Sequence, residues 1–588
     1  MEKRWVQKDI ENNIYIDELS KALDIDEVLS SLLVQRGVRT FDEAKAFFRP
    51  QLSDLYDPFR MKDMDKAVDR VESAIRNNEK ILVYGDYDVD GTTSVALVYT
   101  FLKDIYPNVG FYIPDRYSEG YGISYKGIDY AKTENFSLII ALDCGIKAID
   151  TIDYANERNI DFVICDHHYP DDKIPNAVAV LDPKREDCDY PFDGLSGCGV
   201  GFKLIQAYAK HKKIPFDDIV EYLDLVAVSI ASDIVPIVDE NRILAYYGLI
   251  QLNTRPRVGL KSIINISGLK NKKISIEDIV FKLGPRINAT GRIDSADKAV
   301  ELLIAKKVNA ANSIAKKIDY TNNARKNIDR NITQEAIAMH EKELCLNNKK
   351  SIVLYNKDWH KGVVGIVASR LIETFYRPTI ILTSSNDMAT GSARSVIGFD
   401  IYQAIEACSD LLENFGGHMY AAGLTMKIEN IPVFIKRFEE IVSANILDEQ
   451  LIPQVEIDAE INLNQITPKF NRILKQFQPF GPGNMAPVFL TKNVVDNGDG
   501  RIVGLKKEHL KLSLIQEKDP FNSFPAIAFQ CADYYKKIIG GNTINICYCI
   551  NENLFRGDLT LQLNIKDIKF NDNKNPEYKN TEEITEKN

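Results

Sequence analysis

The stretch from Ile81 to Gly91 reads Ile-Leu-Val-Tyr-Gly-Asp-Tyr-Asp-Val-Asp-Gly. Its first half is a short apolar run with the length and composition typical of a buried strand. Its second half places three carboxylates, Asp86, Asp88 and Asp90, at alternating positions directly after that strand. Because carboxylates this close repel one another unless a cation neutralises them, the stretch predicts a strand that delivers acidic side chains to a cation site.

Two other interpretations of this stretch exist. An EF-hand loop is the first, because the three carboxylates fill its first, third and fifth positions and Gly91 fills its sixth. Its twelfth position would then be Leu97 rather than Glu, and the preceding element reads as a strand instead of a helix. The second is an acidic turn that caps a helix beginning near Thr92. Oxygen ligands of this kind suit hard divalent cations such as Mg²⁺ and Mn²⁺.

The same arrangement recurs at two further apolar runs. Leu138–Leu142 ends at Asp143, and Phe162–Cys165 ends at the Asp-His-His sequence of residues 166–168. Helix-period segments such as 93–104 separate the runs, and this alternation predicts an α/β layer with a parallel sheet. Ligand sites in open parallel sheets lie at the carboxyl ends of the strands. We therefore expect these acidic and imidazole side chains to converge, and a mixed set of this kind tolerates Mn²⁺ well.

Asp233 follows the apolar segment Leu225–Ile230 and is a weaker candidate for the same site. On its own it is equally well explained as the end of a helix or as a turn.

Composition bounds the class of protein. The 588 residues predict about four domains at roughly 150 residues each. Apolar residues make up 45% and charged residues 27%, which is ordinary for globular proteins. The net charge of −11 argues against gripping duplex DNA through overall charge, although a local cationic groove stays possible. Nine scattered cysteines without a CxxC pair disfavour a disulfide framework or a zinc ribbon. A cytoplasmic protein with no membrane partner is expected.

Patterning along the chain predicts six segments. Residues between Gly291 and Gly362 contain no glycine or proline and predict a long helix or helix pair. The expected segments are a helical N-terminal segment (1–50), a first α/β domain (51–300), a connecting helix (301–347), a second α/β domain (348–450), a small β-barrel (451–570) and a disordered tail (571–588).

The order of these motifs resembles a known family. An Asp-x-Asp-x-Asp-Gly run, a lone strand-end Asp, Asp-His-His and then Ala-Ser-Asp resemble the signature of the DHH phosphoesterase superfamily. The distal half is similar to the RecJ-type single-stranded-DNA-specific exonucleases of that superfamily, in residues 284–292, 391–395, 415–418, 480–484 and 509–512. The resemblance covers roughly residues 45 to 570. It implies an α/β fold in which a parallel-sheet DHH domain is joined by a long helix to a second α/β domain, DHHA1, followed by a small OB-like β-barrel.

The resemblance also implies which residues form the site. Two divalent cations, Mn²⁺ or Mg²⁺, would be held by Asp86, Asp88, Asp90, Asp143, His167 and Asp233. The catalytic set would be Asp88, Asp90, Asp143, Asp166, His167, His168 and Asp233, with Asp86 and His168 as additional ligands or immediate supports. Tyr84 stands where many superfamily members have a metal-binding histidine, which leaves open which carboxylate binds which ion.

The substrate is expected to bind in the second α/β domain (348–450), which we call the second lobe. Arg394, read as part of a Gly-Ser-x-Arg-Ser turn, can pair bidentately with a phosphate. The glycines at 416 and 417 either expose backbone N–H groups to an anion or form a tight strand-to-helix connection. The expected substrate-binding residues are Arg116, Arg286, Asn288, Arg292, Ser392, Arg394, Ser395, Gly416, Gly417 and His418. Lys511 and Phe529 are candidates for holding a strand on the barrel.

The function implied by the resemblance is two-metal hydrolysis of single-stranded DNA from its 5′ end to 5′-mononucleotides, in DNA repair and recombination. A helicase and a single-strand-binding protein are the implied partners of a monomer. A DHH phosphodiesterase for small substrates is a first alternative, disfavoured by the strand-rich segment after Val455. A replication scaffold that lost its metals is a second alternative, disfavoured by the retained acidic and histidine residues.

Overall fold

The structure is a computed structural model, and it describes residues 2–9, 13–344, 349–516, 519–555 and 558–571. The predicted disordered tail lies outside the described residues from position 572 onward. The chain divides into two compact units. The larger consists of Phe48–Ile452 and Gln478–Met485, and the smaller of Met1–Phe47, Pro453–Phe477 and Ala486–Asn588.

Nineteen strands and twenty α-helices are assigned in the described residues. The strands are β1 Arg4–Gln7, β2 Lys80–Gly85, β3 Val109–Tyr112, β4 Phe136–Leu142, β5 Asp161–Cys165, β6 Ala179–Leu181, β7 Ile352–Tyr355, β8 Thr379–Ser385, β9 Met388–Arg394, β10 Leu412–His418, β11 Ala421–Lys427, β12 Gln454–Ile457, β13 Ala459–Glu460, β14 Phe489–Asp496, β15 Arg501–Val503, β16 His509–Gln516, β17 Asp519–Ala528, β18 Ile544–Phe555 and β19 Asp558–Phe570. The helices are α1 Asn13–Leu23, α2 Glu27–Val34, α3 Phe41–Phe48, α4 Met64–Arg76, α5 Val89–Ile105, α6 Tyr125–Thr133, α7 Ile149–Asn156, α8 Gly197–Lys212, α9 Leu223–Asp233, α10 Asp239–Thr254, α11 Val258–Ile266, α12 Ile276–Asp278, α13 Gly284–Ile293, α14 Asp297–Leu303, α15 Val308–Leu344, α16 Val364–Phe375, α17 Ile401–Glu406, α18 Ile431–Asn445, α19 Pro468–Leu474 and α20 Tyr535–Ile539. None of these helices combines the length and apolar character needed to cross a membrane.

The first sheet of the larger unit is parallel throughout, as the alternation of runs and helices predicts. Its strand order is β3-β2-β4-β5-β6. Successive side chains of a strand point to opposite faces, so Ile81 and Val83 pack into one core while Leu82 and Tyr84 pack into the other. Helices cover both faces, which explains why these strands are apolar on both faces apart from polar residues near their first positions. The carboxyl ends of β2, β4 and β5 lie at one edge of the sheet.

A single helix of 37 residues, α15, leads into the second sheet of the larger unit. That sheet has the order β10-β11-β9-β8-β7, with β7 and β8 parallel and the other neighbours antiparallel. Two expectations for this region are wrong. Arg394 is the last residue of β9 and not part of a turn, and the glycine-rich segment forms the β10–β11 hairpin instead of a strand-to-helix connection.

The smaller unit contains the predicted barrel. Five strands, in the order β14-β18-β19-β17-β16, close on themselves through a β14–β16 pairing. The alternating segments 511–514, 544–550 and 559–565 lie in its strands β16, β18 and β19. Residues 1–50 contain the short helices α1, α2 and α3 and, before them, the strand β1, which was not predicted and pairs in parallel with β12. Residues 4–7 are too few to give a period that distinguishes a strand from a loop.

Candidate active site

The loop after β2 carries the first three carboxylates. Asp88 is the N-cap of α5, and one of its carboxylate oxygens accepts a hydrogen bond from the Gly91 N–H at 3.0 Å. A Cβ added at Gly91 would lie 2.3 Å from the backbone oxygen of Asp86, so only glycine allows the loop to close this tightly. The N-terminal end of α5 also favours negative charge at this position. The sequence therefore folds locally so that three carboxylates meet at one strand tip.

Asp90 ties this loop to two other helices. Its carboxylate accepts hydrogen bonds from the N–H groups of Gly197 at 2.7 Å and Cys198 at 2.8 Å, at the start of α8. It also accepts one from the hydroxyl of Ser229 in α9, at 2.7 Å. These donors hold the buried Asp90 side chain in one orientation.

His167 faces three carboxylates. Its Nδ1 donates to the backbone oxygen of Leu195 at 3.0 Å, so its Nε2 carries the lone pair of a neutral imidazole. That Nε2 lies 3.1 Å from Oδ1 of Asp143, 3.7 Å from Oδ2 of Asp90 and 3.6 Å from Oδ2 of Asp233. A lone pair that faces three carboxylate oxygens is unfavourable unless a cation or a proton lies among them.

The pKa values of the aspartates also indicate that the site needs a cation. Burial, together with the charges of the neighbouring aspartates, raises the pKa of Asp143 and of Asp86 well above the ordinary range. The same causes raise the pKa of Asp233 to about 8. Burial lowers the pKa of His167, which favours the neutral form that binds metals. Without a cation, these acids cannot all be ionised together at neutral pH.

The donor set fits hard divalent cations. Two groups of possible ligand atoms, each within 4.8 Å, share His167: one adds Asp143 and His168, the other Asp90 and Asp233. Oδ1 of Asp86 is buried and has no hydrogen-bond partner among the residues that the structure describes. Carboxylate oxygens with imidazole nitrogens match Mn²⁺ and also accept Mg²⁺. The two groups adjoin at His167, so a pair of neighbouring ions would find carboxylates and imidazoles of both groups within reach, although the single lone pair of His167 Nε2 can bind only one of the ions.

Asp166 orients its neighbours. One oxygen accepts the Ile146 N–H at 2.9 Å, and the other accepts the His167 N–H at 2.7 Å and lies 2.8 Å from Nδ1 of His168. Burial opposes ionisation of Asp166, but the hydrogen bonds and charge of His168 and the Ile146 N–H lower its pKa to about 2. Asp166 is therefore ionised and fixes the ring of His168.

Tyr84 lies away from this group. It is fully buried on the far face of β2, where its hydroxyl donates to the Gly122 oxygen at 3.0 Å and accepts from the Ser124 N–H at 3.1 Å. Its phenol is occupied by backbone groups, and the acids after β2 are left to form the site without it.

Four arginines lie close together around Arg292, which also interacts with Asp88, and we call them the arginine cluster: Arg116, Arg292, Arg325 and Arg394. The guanidinium of Arg116 lies 3.9 Å from the ring centroid of Tyr87. Arg292 in α13 donates to the Gly362 oxygen at 2.9 Å. Burial and repulsion from the other three arginines lower the pKa of Arg292 to about 10. Such repulsion is relieved by a bound anion. Sequence reasoning missed Arg325, because it lies on a polar stripe of α15 that reads as a solvated helix face.

The remaining predicted binding residues lie in varied surroundings. Arg286 pairs with Asp319 on α15 at 2.9 Å, and the Ser395 hydroxyl donates to the Phe399 oxygen at 2.7 Å. Both therefore have partners within the protein, and their contact with substrate stays a prediction. Oδ1 of Asn288 is buried with no hydrogen-bond partner in the described part of the chain. Gly416, Gly417 and His418 lie at the end of β10, and Ser392 lies on β9 two residues from Arg394.

Comparisons with known proteins agree with this architecture. Residues 80–230 match the DHH family N-terminal domain, 348–444 the DHHA1 domain, and 457–567 the RecJ OB domain. The single-stranded-DNA-specific exonuclease RecJ of Bacillus subtilis is 38% identical over 554 residues, covering 94% of this chain and 69% of that protein. RecJ of Escherichia coli is 30% identical over 577 residues, covering 93% and 96%.

Solved structures of other proteins resemble the fold of this chain. The crystal structure of RecJ in complex with Mn²⁺ from Thermus thermophilus superimposes with a TM-score of 0.82 at 25% identity, covering 96% of this chain and 79% of that one. An exonuclease RecJ bound to manganese gives 0.58 at 29% identity, covering 68% and 98%. The parallel sheet with its strand-end acids and histidines is that of a DHH-type hydrolase. With the DHHA1 and OB domains and these relatives, the chain belongs to the RecJ family of single-stranded-DNA-specific exonucleases.

Proposed function

We propose that this chain degrades single-stranded DNA from its 5′ end and releases 5′-mononucleotides, with two divalent cations, Mn²⁺ or Mg²⁺, as cofactors. The observation that carries the proposal is the lone pair of His167 Nε2 facing carboxylates from three different elements. Family membership supports a role in DNA repair and recombination in the cytoplasm, beside a helicase and a single-strand-binding protein.

The protein's residues fix the geometry of the reaction. Two bound divalent cations would lower the pKa of an attacking water and screen the oxygens of the scissile phosphate. Asp88, Asp90, Asp143, His167 and Asp233 would hold them, with Asp86 as a further carboxylate. The hydrogen bonds of Asp90 and of His167 Nδ1 keep these ligands oriented before substrate arrives. The P–O3′ bond breaks, and the terminal nucleotide leaves with its 3′ oxygen.

The arginine cluster supports attack from a strand end. A terminal phosphate carries a charge of about −1.5 to −2 at neutral pH, more than an internal phosphodiester. Guanidinium groups bind such an anion bidentately. The charges of the other three arginines and of Asp88 all affect the pKa of Arg292, so the cluster borders the acidic centre. When the arginine cluster binds the 5′ phosphate, the next phosphate of the strand is the one that reaches the metal centre.

The barrel supports a long substrate over a dinucleotide. Phe529 is 55% exposed and packs edge-on against His509, with ring centroids 5.0 Å apart. Lys511 alternates with the buried residues of β16 and is paired with Ile527 of β17, so it lies on the outward face. Exposed aromatic rings beside cations suit the stacking of single-stranded bases.

Digestion of a strand labelled at either end tests the proposal. With Mn²⁺ or Mg²⁺, a 5′ label should be released at once as mononucleotide, while a 3′ label stays on strands that shorten gradually. EDTA should stop both. Release from the 3′ end first, or an intact strand in the presence of either metal, would overturn the proposal. Faster cleavage of a dinucleotide than of a long strand would favour the small-substrate phosphodiesterase instead.

A further inference from the structure

A cavity beside His168 has no role in the reaction described so far. It has a volume of about 410 Å³, in the range of small-molecule sites. The residues that line it are Tyr121, Gly122, Ile123, Tyr125, Gly145, Ile146, Lys147, Ala148, Ile149, Asp150, Thr151, Asp166 and His168. Most of these are apolar, aromatic or glycine; of the charged residues, Lys147 and Asp150 are exposed and Asp166 is buried.

The cavity adjoins the metal centre directly. His168 belongs to one of the two ligand groups, and it lines the cavity. The Tyr121 hydroxyl lies 3.2 Å from the backbone oxygen of Asp143 and 3.3 Å from Nε2 of His168. Whatever occupies the cavity is therefore next to the phosphate at which the bond breaks.

A second set of basic residues lies at this side of the centre. Burial, and then the charges of His168, Lys147 and Lys184, lower the pKa of His418, so these four groups lie near one another. His418 comes from the end of β10 in the second lobe, whereas the other three follow strands of the first sheet. Lys147 pairs with Asp171, but both side chains are more than half exposed, so a phosphate competes readily for the lysine.

The two sets of basic residues border different residues of the acidic centre. In the arginine cluster, Arg292 interacts with Asp88, whereas His418, Lys147 and Lys184 lie on the side of His168. A strand whose terminal phosphate is in the arginine cluster meets the metals at its second phosphate. The nucleotide that carries this second phosphate then arrives at the cavity.

We propose that this cavity is a nucleobase subsite, which takes the base of the second nucleotide of the strand while Lys147 and Lys184 hold the phosphate that follows. The inference rests on the proposed function. The faces of a base are apolar and aromatic, as the walls formed by Tyr125, Ile123 and Ile149 are, and its phosphate requires the cations at the rim. Rings recognised by their faces bind without regard to sequence, as an exonuclease needs.

Abasic substrates test the subsite. Oligonucleotides with a 5′ phosphate and one tetrahydrofuran residue at position 1, 2, 3 or 6 are compared by kcat/KM for release of the first nucleotide and by Kd without turnover in EDTA. Stacking worth about 1–3 kcal/mol per base predicts a loss of roughly 5- to 100-fold for position 2, the largest of the series.

Variants then assign the effect to the cavity. Tyr125→Ala should lower kcat/KM on the intact strand and remove the extra loss at position 2. Tyr130→Ala is the matched control, because Tyr130 lies on the same helix, is 40% exposed against 50% for Tyr125, and does not line the cavity. Lys147→Gln should weaken binding and reduce its salt dependence by about one charge, whereas Lys132→Gln on α6 should not.

The outcomes separate this inference from the proposed function. Equal rates on all four abasic strands, the largest loss at another position, or a position-2 loss that survives in Tyr125→Ala would each overturn the subsite. If wild-type protein degrades none of the strands with either metal, or degrades them from the 3′ end, the proposed function itself is wrong.

Discussion

Nε2 of His167 lies 3.1 Å from Oδ1 of Asp143, although the two residues are 24 positions apart and follow different strands. Because β4 and β5 are adjacent and parallel, their carboxyl ends reach the same edge of the sheet. Neither group has a proton to share when Asp143 is ionised and Nδ1 of His167 donates to Leu195. The pair is therefore stable only with a cation between the two groups or, in the metal-free protein, with a proton on Asp143.

Replacement of Asp143 should make the melting temperature less dependent on Mn²⁺. Asp143→Asn removes one of several repelling charges, so the metal-free protein should melt at the same temperature as wild type or higher. Mn²⁺ should raise the Tm of wild type by linkage, and it should do so much less in the variant. Thermal melting with EDTA and with Mn²⁺ measures this. Asp153→Asn, at an exposed position of α7, is the control and should keep the full response. A full Mn²⁺ response in Asp143→Asn would remove Asp143 from the ligand set.

The stability of the metal-free protein should fall as pH rises. The pKa of Asp233 is about 8 in the folded protein, against about 4 in an unfolded chain. Between these values the folded state binds more protons at Asp233 than the unfolded state does, so stability decreases with pH throughout this window, and the contribution of Asp233 to this decrease ends above about pH 8. Denaturant unfolding in EDTA from pH 5.5 to 8.5 measures the decline.

Two variants test this pH dependence. Asp233→Asn should flatten the curve, because the residue no longer titrates. Asp166→Asn should lower stability throughout this range, since its pKa of about 2 places the titration of Asp166 itself below the range. A curve for Asp233→Asn that is as steep as that of wild type would contradict the assignment.

Loss of Arg394 should weaken binding of strands with a 5′ phosphate. A charge-assisted hydrogen-bonding group contributes about 1.5–3 kcal/mol, so Arg394→Ala should raise KM and Kd by roughly 10- to 100-fold. The preference for a 5′ phosphate over a 5′ hydroxyl should shrink in parallel. Arg437→Ala, on the exposed face of α18 and paired with Asp410, is the matched control in the same lobe. Equal affinity of Arg394→Ala and wild type for phosphorylated strands would exclude Arg394 from the cluster's function.

The acidic centre could be predicted from sequence because its residues directly follow apolar runs. Such runs identify buried parallel strands, and the carboxyl ends of these strands lie at the same edge of the sheet. The convergence of Asp88, Asp143 and His167 follows from that rule alone. The arginine cluster does not, since Arg325 is one of many polar residues on α15 and only tertiary packing turns it toward Arg292. The cavity beside His168 could not be predicted either, because its walls combine loop residues with the first turns of α6 and α7, and no single sequence period marks such a set.

We expect Tyr84 to contribute to the stability of the fold and not to the reaction. Its hydroxyl satisfies the Gly122 oxygen and the Ser124 N–H in a fully buried position. Tyr84→Phe leaves both groups without that partner, which should lower the free energy of unfolding by about 1–3 kcal/mol. Turnover at saturating metal should stay near that of wild type, because the ring faces away from the acids. Denaturant unfolding and kcat measure the two effects, and Tyr320→Phe, exposed on α15, should change neither. Lost turnover with unchanged stability would place the phenol in the reaction.

Gly197 should be required for the position of Asp143. A Cβ at Gly197 would lie 2.6 Å from Cβ of Asp143 and 2.8 Å from its Oδ1, so Gly197→Ala must displace that side chain. Displacement of a ligand by about 1 Å can cost roughly 100-fold in rate, and kcat should fall by at least that much while DNA binding at the arginine cluster persists. Gly199→Ala is the matched control in the same helical turn, because its added Cβ would meet neighbours at an ordinary 3.4 Å. Equal kcat values for the two variants would mean that α8 yields to the added methyl group and that the close approach of Gly197 does not set the geometry of the centre.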